Sequence, residues 1–316
     1  MIPLGIRPTN DFAFLKSFGS PGNTLALKSL LNAILQLPVP IVEVRLQNPF
    51  NRREFEDDKL SILDIRAVDQ QGAIYDVEMQ VSNHAGLVQR LVFYACEVYA
   101  DQMRAGDNYQ KLKPVYAICL LEGRLWGDST RMHHAFRLMD RDTGRCLTGT
   151  LEVHTLEMGW YNLQEADLAT ASLLEQWVYW LLHAHEYDAG TLKRLLPDSA
   201  FVQATEALEL IAEITEDKTM YDRREKAIRD QRWLLTSARE EGLEEGREKG
   251  REEGLVAGEI QLIQTLQEVS CQPVSDELTL RAMSLGQLKE MAAQLRTHLL
   301  SRSQSELPSA SGNGVE

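Results

Sequence analysis

The 316-residue sequence predicts an α/β fold followed by an all-α region, and two observations carry that prediction. Short β-type segments are confined to the first half, at residues 60–68, 74–81, 115–121 and 151–156,. From about residue 165 to residue 300 the apolar spacing is almost only helical,. A boundary is therefore expected near Trp160-Tyr161-Asn162.

The elements follow in order. Asn10 or Asp11 can cap a short helix through Phe18, and Thr24 a second along Leu25, Leu30, Leu31, Ile34 and Leu35, stopped by Pro38 and Pro40,. A β-hairpin over residues 60–81 comes next, then a helix over 87–106, a buried apolar strand over 115–121 and a further strand over 151–156,. His133 and His134 read as exposed loop residues. Helices are expected over 166–187, 191–196, 201–214 and 221–235, with Trp177, Val178, Trp180, Leu181 and Leu182 as core,. Glycine then recurs every fourth residue, at Gly242, Gly246, Gly250, Gly254 and Gly258, among Glu, Lys and Arg, a slanting smooth stripe along a charged rod. It suits either a solvated linker or close helix association. Two short amphipathic helices broken at Pro273 and a polar tail complete the chain. The expected division is 1–162 (α/β), 163–236 (helical), 237–260 (charged, Gly-striped), 261–300 (small helical module) and 301–316 (disordered tail),.

Composition narrows the function. Apolar residues at 44% and charged residues at 25% are globular values,. A net charge of −14 excludes a generally basic surface, so any nucleic-acid contact must be local,. The four cysteines, Cys96, Cys119, Cys146 and Cys271, have no paired spacing and read as reduced thiols of a cytoplasmic protein,. Without a long uncharged apolar run, no membrane span or secretory leader is expected,. Walker, Gly-x-Gly-x-x-Gly and Gly-x-Ser-x-Gly motifs are missing from the sequence,.

The hairpin carries the chemistry. With Gln70, Gln71 and Gly72 as its loop and Gly72 left-handed, opposed residues sum to 142, pairing Val68 with Ile74, Arg66 with Asp76 and Asp64 with Glu78,. The third pair sets like charges opposite each other, about 5 Å apart at the β-carbons, and calls for a cation between them. Alternation puts Asp76, Glu78 and Gln80 on one face and Val77, Met79 and Val81 toward the core,. Two carboxylates with a nearby carbonyl form a hard oxygen site of the kind Mg²⁺ or Mn²⁺ prefers.

Asp64 followed by Glu78-Met79-Gln80 resembles the Asp and Glu-x-Lys signature of the PD-(D/E)XK nuclease superfamily, with Gln80 in the lysine position. Together with residues 10–19 (Asn-Asp-Phe-Ala-Phe-Leu-Lys-Ser-Phe-Gly), Lys59, Arg90, Tyr94, Gly106 and Tyr109, the match points to its Rpn family of recombination-promoting nucleases and transposases. The resemblance covers about residues 9–160; Leu15 departs from it, standing where the family often has lysine. Residues 258–300 are similar to a small helical module that often follows such domains.

The resemblance implies a restriction-endonuclease-like core, a central mixed sheet flanked by helices. It also implies a Mg²⁺- or Mn²⁺-dependent DNA endonuclease linked to recombination or mobile elements. Asp64, Glu78 and the Met79 main-chain carbonyl would hold the metal, Gln80 would orient the attacking water, and Lys59, Arg90 and Lys16 would contact phosphate,. Glutamine lacks the lysine's charge, so chemistry on the order of 100-fold slower is expected. A homodimer through the Gly-striped helix fits double-strand cutting. The rival expectation is a decayed nuclease fold acting as a noncatalytic interaction or oligomerisation protein.

Overall fold

The computed structural model describes residues 2–48, 65–81, 86–127 and 131–305. The chain divides into two compact units, Met1–Arg232 and Trp233–Glu316.

In the first unit, helix α1 (Asp11–Phe18) starts where Asn10 Oδ1 accepts from the Phe12 and Ala13 amides at 3.1 and 3.3 Å,. Helix α2 (Thr24–Leu35) begins at Thr24 itself. Asn23 precedes it without a side-chain cap, so the expected Thr24 cap is not made. Left-handed Gln36 ends α2 two residues before Pro38,.

Six strands form one sheet among the described residues: β1 (Val44–Leu46), β2 (Ile65–Asp69), β3 (Ile74–Gln80), β4 (Val115–Leu121), β5 (His133–Met139) and β6 (Cys146–Glu157), in the order β1-β2-β3-β4-β6-β5. β3, β4 and β6 run parallel, whereas β1–β2, β2–β3 and β5–β6 are antiparallel. Helix α3 (Leu87–Ala100) crosses one face and stops six residues short of its expected end. β1 and β5 escaped sequence reading. β1 has three residues, and β5 runs along the sheet edge exposed from Ala135 onward, with no clean apolar alternation,. His133 and His134 are therefore strand residues, not loop residues.

Four helices follow: α4 (Leu173–His183), α5 (Ala189–Leu195), α6 (Ser199–Glu213) and α7 (Thr215–Val269). Ser172 and Glu175 close a capping box at the start of α4,. α4 and α6 share one core with α1, α2 and the inner face of the sheet. There Phe18 meets Trp177 and Trp180 edge-on at 5.5 and 5.8 Å, and Trp177 packs 4.1 Å from Phe201,. Both indoles are satisfied, Trp177 by Ser29 and Trp180 by Thr205, each at 3.1 Å. The expected helix core at residues 177–182 holds for Trp177, Val178, Trp180 and Leu181, with Leu182 half-buried.

The second unit has its own small core of Ile260, Ile263, Leu280, Leu288, Ala292 and Leu295. Those residues come from α7, α8 (Glu277–Arg281) and α9 (Leu285–Ser305). The Gln267 side chain fastens the turn before α8 by two bonds to Ser275, 2.8 and 2.9 Å long. No described helix is long and apolar enough to cross a membrane.

The inner face also buries a polar row. His154 Nδ1 lies 3.0 Å from His133 Nε2, its Nε2 lies 3.4 Å from Glu152, and Glu152 accepts from Arg137 at 2.9 Å. Burial, reinforced by the partner imidazole, pushes His133 down to about 4. Burial, reinforced by Arg137, does the same to His154,. Between pH 6.5 and about 4 the unfolded chain takes up protons that the folded rings refuse, so stability is lost as pH falls through that window,. A His154→Gln variant should show a pH profile flatter by about 3 kcal/mol across it, measured by urea unfolding at stepped pH.

Candidate functional site

Gly72 sits at φ +86° at the end of the β2–β3 turn, a conformation glycine adopts without strain,. Asp69 braces the turn. Its Oδ1 accepts from the Gln71 and Ala73 amides at 2.8 and 2.9 Å, and its Oδ2 from the Tyr75 hydroxyl at 2.9 Å. The described pairs are Ile65–Val77, Arg66–Asp76, Ala67–Tyr75 and Val68–Ile74. Each sums to 142, the expected register.

Alternation then sorts β3. Tyr75, Val77 and Met79 enter the main core, while Ile74 packs with Val98 and Val115 under α3. Asp76 and Glu78 share the α3 face and are 8% and 7% exposed, since the sheet is covered on both sides,. The Asp76 carboxylate is 3.5 Å from Arg66, its expected cross-strand partner.

Glu78 lies near the C-terminal end of β3, where Arg90 of α3 reaches its Oε1 at 2.6 Å. The Gln80 amide donates to the same oxygen. A cation thus does meet Glu78, and it comes from the helix that follows the hairpin. Cys119 stands beside Glu78 in the β3–β4 register. Burial first, then the Glu78 charge, pushes its thiol well up, so it stays protonated,.

Other predicted residues lie elsewhere. Lys16 pairs with the buried Asp217 of α7 at 2.9 Å. In the same helix pair, Arg224 holds Asp11 at 2.6 Å, and Glu225 accepts from the Asn10 amide at 3.1 Å. Asp64 and Lys59 lie outside the described residues. Sequence reading missed Glu122. Its amide donates to the Gln80 carbonyl at 3.0 Å, and its carboxylate pairs with Arg232. The available signal was its position, directly after the buried β4 and level with the C-terminal end of β3.

No three His, Cys, Asp or Glu side chains gather into a metal cluster among the described residues. Of the expected metal ligands, Glu78 is a hard, shielded carboxylate whose Oε1 already accepts from Arg90 and Gln80, and Asp64 lies outside the described residues,.

Residues 8–238 match the family described as PD-(D/E)XK nuclease family transposase. No curated protein and no solved structure matches the chain.

Replacing Arg90 by Met would take a positive partner from the buried Glu78 carboxylate. The variant should lose about 3 kcal/mol in chemical denaturation, and pairing it with Glu78→Gln should recover most of that loss.

Proposed function

The chain belongs to the PD-(D/E)XK nuclease family of transposases, and from that premise we propose that it is a metal-dependent DNA endonuclease serving recombination or mobile elements. The observation that carries the reading is Glu78: a shielded carboxylate near the C-terminal end of a central strand.

In this reading Asp64, Glu78 and the Met79 main-chain carbonyl hold Mg²⁺ or Mn²⁺. Such an ion lowers the pKa of a bound water and neutralises charge developing on a phosphodiester. Gln80 orients the attacking water through its amide and cannot take its proton. Arg90, on the helix facing the strand, and Lys59 contact phosphate. Lys16 reaches phosphate only by leaving Asp217. Unpaired cysteines fit action in the reducing cytoplasm,.

The second reading, a catalytically silent fold that binds partners, is favoured by one feature: Glu78 Oε1 is already satisfied by Arg90 and Gln80. Conversion of supercoiled plasmid to nicked or linear DNA separates the two. Cleavage should require Mg²⁺ or Mn²⁺, vanish with chelator and in Asp64→Ala and Glu78→Ala, and rise about 100-fold in Gln80→Lys. Equal inactivity of wild type and variants in every metal selects the silent fold.

The same reading includes a homodimer through α7. A β-carbon added at Gly242, Gly246, Gly250, Gly254 or Gly258 would meet nothing within 4 Å, so the stripe is open to a partner backbone. Substituting Gln at both Gly246 and Gly250 should turn a dimer into a monomer by light scattering; a dimer that survives removes this element of the reading.

A further inference from the structure

In a chain of net charge −14, residues 223–232 of α7 stand apart, with five cations and two acids. Arg223, Lys226, Arg229 and Arg232 follow one another at intervals of three. A helix turns about 100° per residue, so each such step falls about 60° short of a full turn, and the row slants through half the circumference of the helix. Burial follows that slant. Arg223, Lys226 and Arg229 are exposed, whereas Arg232 is half-buried where it meets Glu122.

The inner end of the row adjoins the candidate site. Glu122 donates its amide to the Gln80 carbonyl at 3.0 Å, and Gln80 lies two residues past Glu78 on β3. The other side of the same helical segment is tied to α1, by Arg224 on Asp11 and by Glu225, which accepts from the Asn10 amide. The last buried apolar side chain of α7 in this unit is Tyr221, so polar contacts set the course of the helix beyond it.

The exposed cations are not neutralised, although the chain has 47 acidic residues against 33 basic ones. Among the described residues Arg223, Lys226 and Arg229 make no ion pair, whereas Arg224 and Arg232 do. Of the nearby acids, Asp222 is taken by Lys218 and Glu225 by Asn10, which leaves Asp230 beside the row.

Cations in line suit a polyanion. Nine residues from Arg223 to Arg232 rise about 14 Å, the span of roughly four phosphates of one strand at 3.4 Å each. We propose that Arg223, Lys226 and Arg229, with Arg232 at the inner end, form a track that holds the phosphate backbone of a nucleic acid and leads it to the Glu78 site. The proposal rests on the nuclease reading of that site and adds to it the surface by which an acidic chain grips its substrate. Such contacts position a strand without reading its sequence. An anionic membrane would meet the exposed cations too, but it could not follow a row that winds inward to the end of β3.

The test uses the full chain, with chelator present to prevent cleavage, and fluorescein-labelled DNA, duplex and single-stranded, followed by anisotropy at stepped salt. Combining Arg223→Gln, Lys226→Gln and Arg229→Gln should weaken binding about 100-fold at about 0.1 M salt and make the slope of log affinity against log salt shallower by about 2.7. The three positions are exposed on a helix that glutamine suits, so the variant should melt with wild type,. Gln at Arg281, Lys289 and Arg296, exposed residues of the C-terminal module, removes the same charge and should leave affinity and slope unchanged. Wild type that binds no DNA, or a triple variant that binds as wild type does, would overturn the proposal. Equal weakening by the C-terminal control would overturn it in favour of net charge alone. Loss of binding to phosphatidylserine vesicles by the triple variant, with DNA affinity unchanged, would overturn it in favour of a membrane. Plasmid cleavage that fails while DNA binding through the row persists strikes the catalytic reading alone; cleavage that persists with an unaffected triple variant strikes the row alone.

Discussion

The placement of Glu78 depends on the register of a single hairpin. A slip of one residue between β2 and β3 would carry Glu78 into the apolar core and turn Met79 out toward α3. Three features hold the register. Gly72 takes the positive φ of the turn, Asp69 gathers two amides and a hydroxyl around it, and Tyr75 and Val77 insert into the core beneath α1 and α2. Asp69 and Tyr75 do not belong to the candidate site, yet they determine which face Glu78 occupies.

A sheet covered on both faces buries whatever polar residues its strands carry, and each then needs a partner. On the outer face Glu78 is answered by Arg90 and Asp76 by Arg66. On the inner face Glu152 is answered by Arg137, and burial keeps neutral the two imidazoles that lie against each other. Glu157, fully buried, accepts from the Leu125 amide at 2.6 Å and from the Trp160 indole at 3.2 Å, so a carboxylate shapes the loop after β4.

The hairpin was legible because two short-range rules, glycine at a left-handed turn and strict alternation, do not need to know the rest of the fold. The buried strand β4 was legible from its unbroken apolar run, and the helical core from Trp177 and Trp180 at helical spacing. What escaped was set by distance in sequence. His133 and His134 look like polar loop residues until β6 pairs with them from about twenty positions away. Lys16 looks like a phosphate ligand until Asp217, 201 residues later, comes to rest against it. The Asn10-Asp11 pair reads as a helix cap, and it is one, but the same residues also meet Arg224 and Glu225 of α7. Arg90 was legible as a residue of interest; its grip on Glu78 was not, because no local rule says which way a helix crossing a sheet will turn its arginine.

The acidity of the chain bears on how it can hold a polyanion. With a net charge of −14, affinity cannot come from broad counterion release, which needs many phosphate contacts and fades steeply with salt. The arginines near the site are partly committed, Arg66 to Asp76, Arg90 to Glu78 and Arg137 to Glu152. Any grip on such a polymer must then be local and confined to few phosphates, which makes it only weakly dependent on salt.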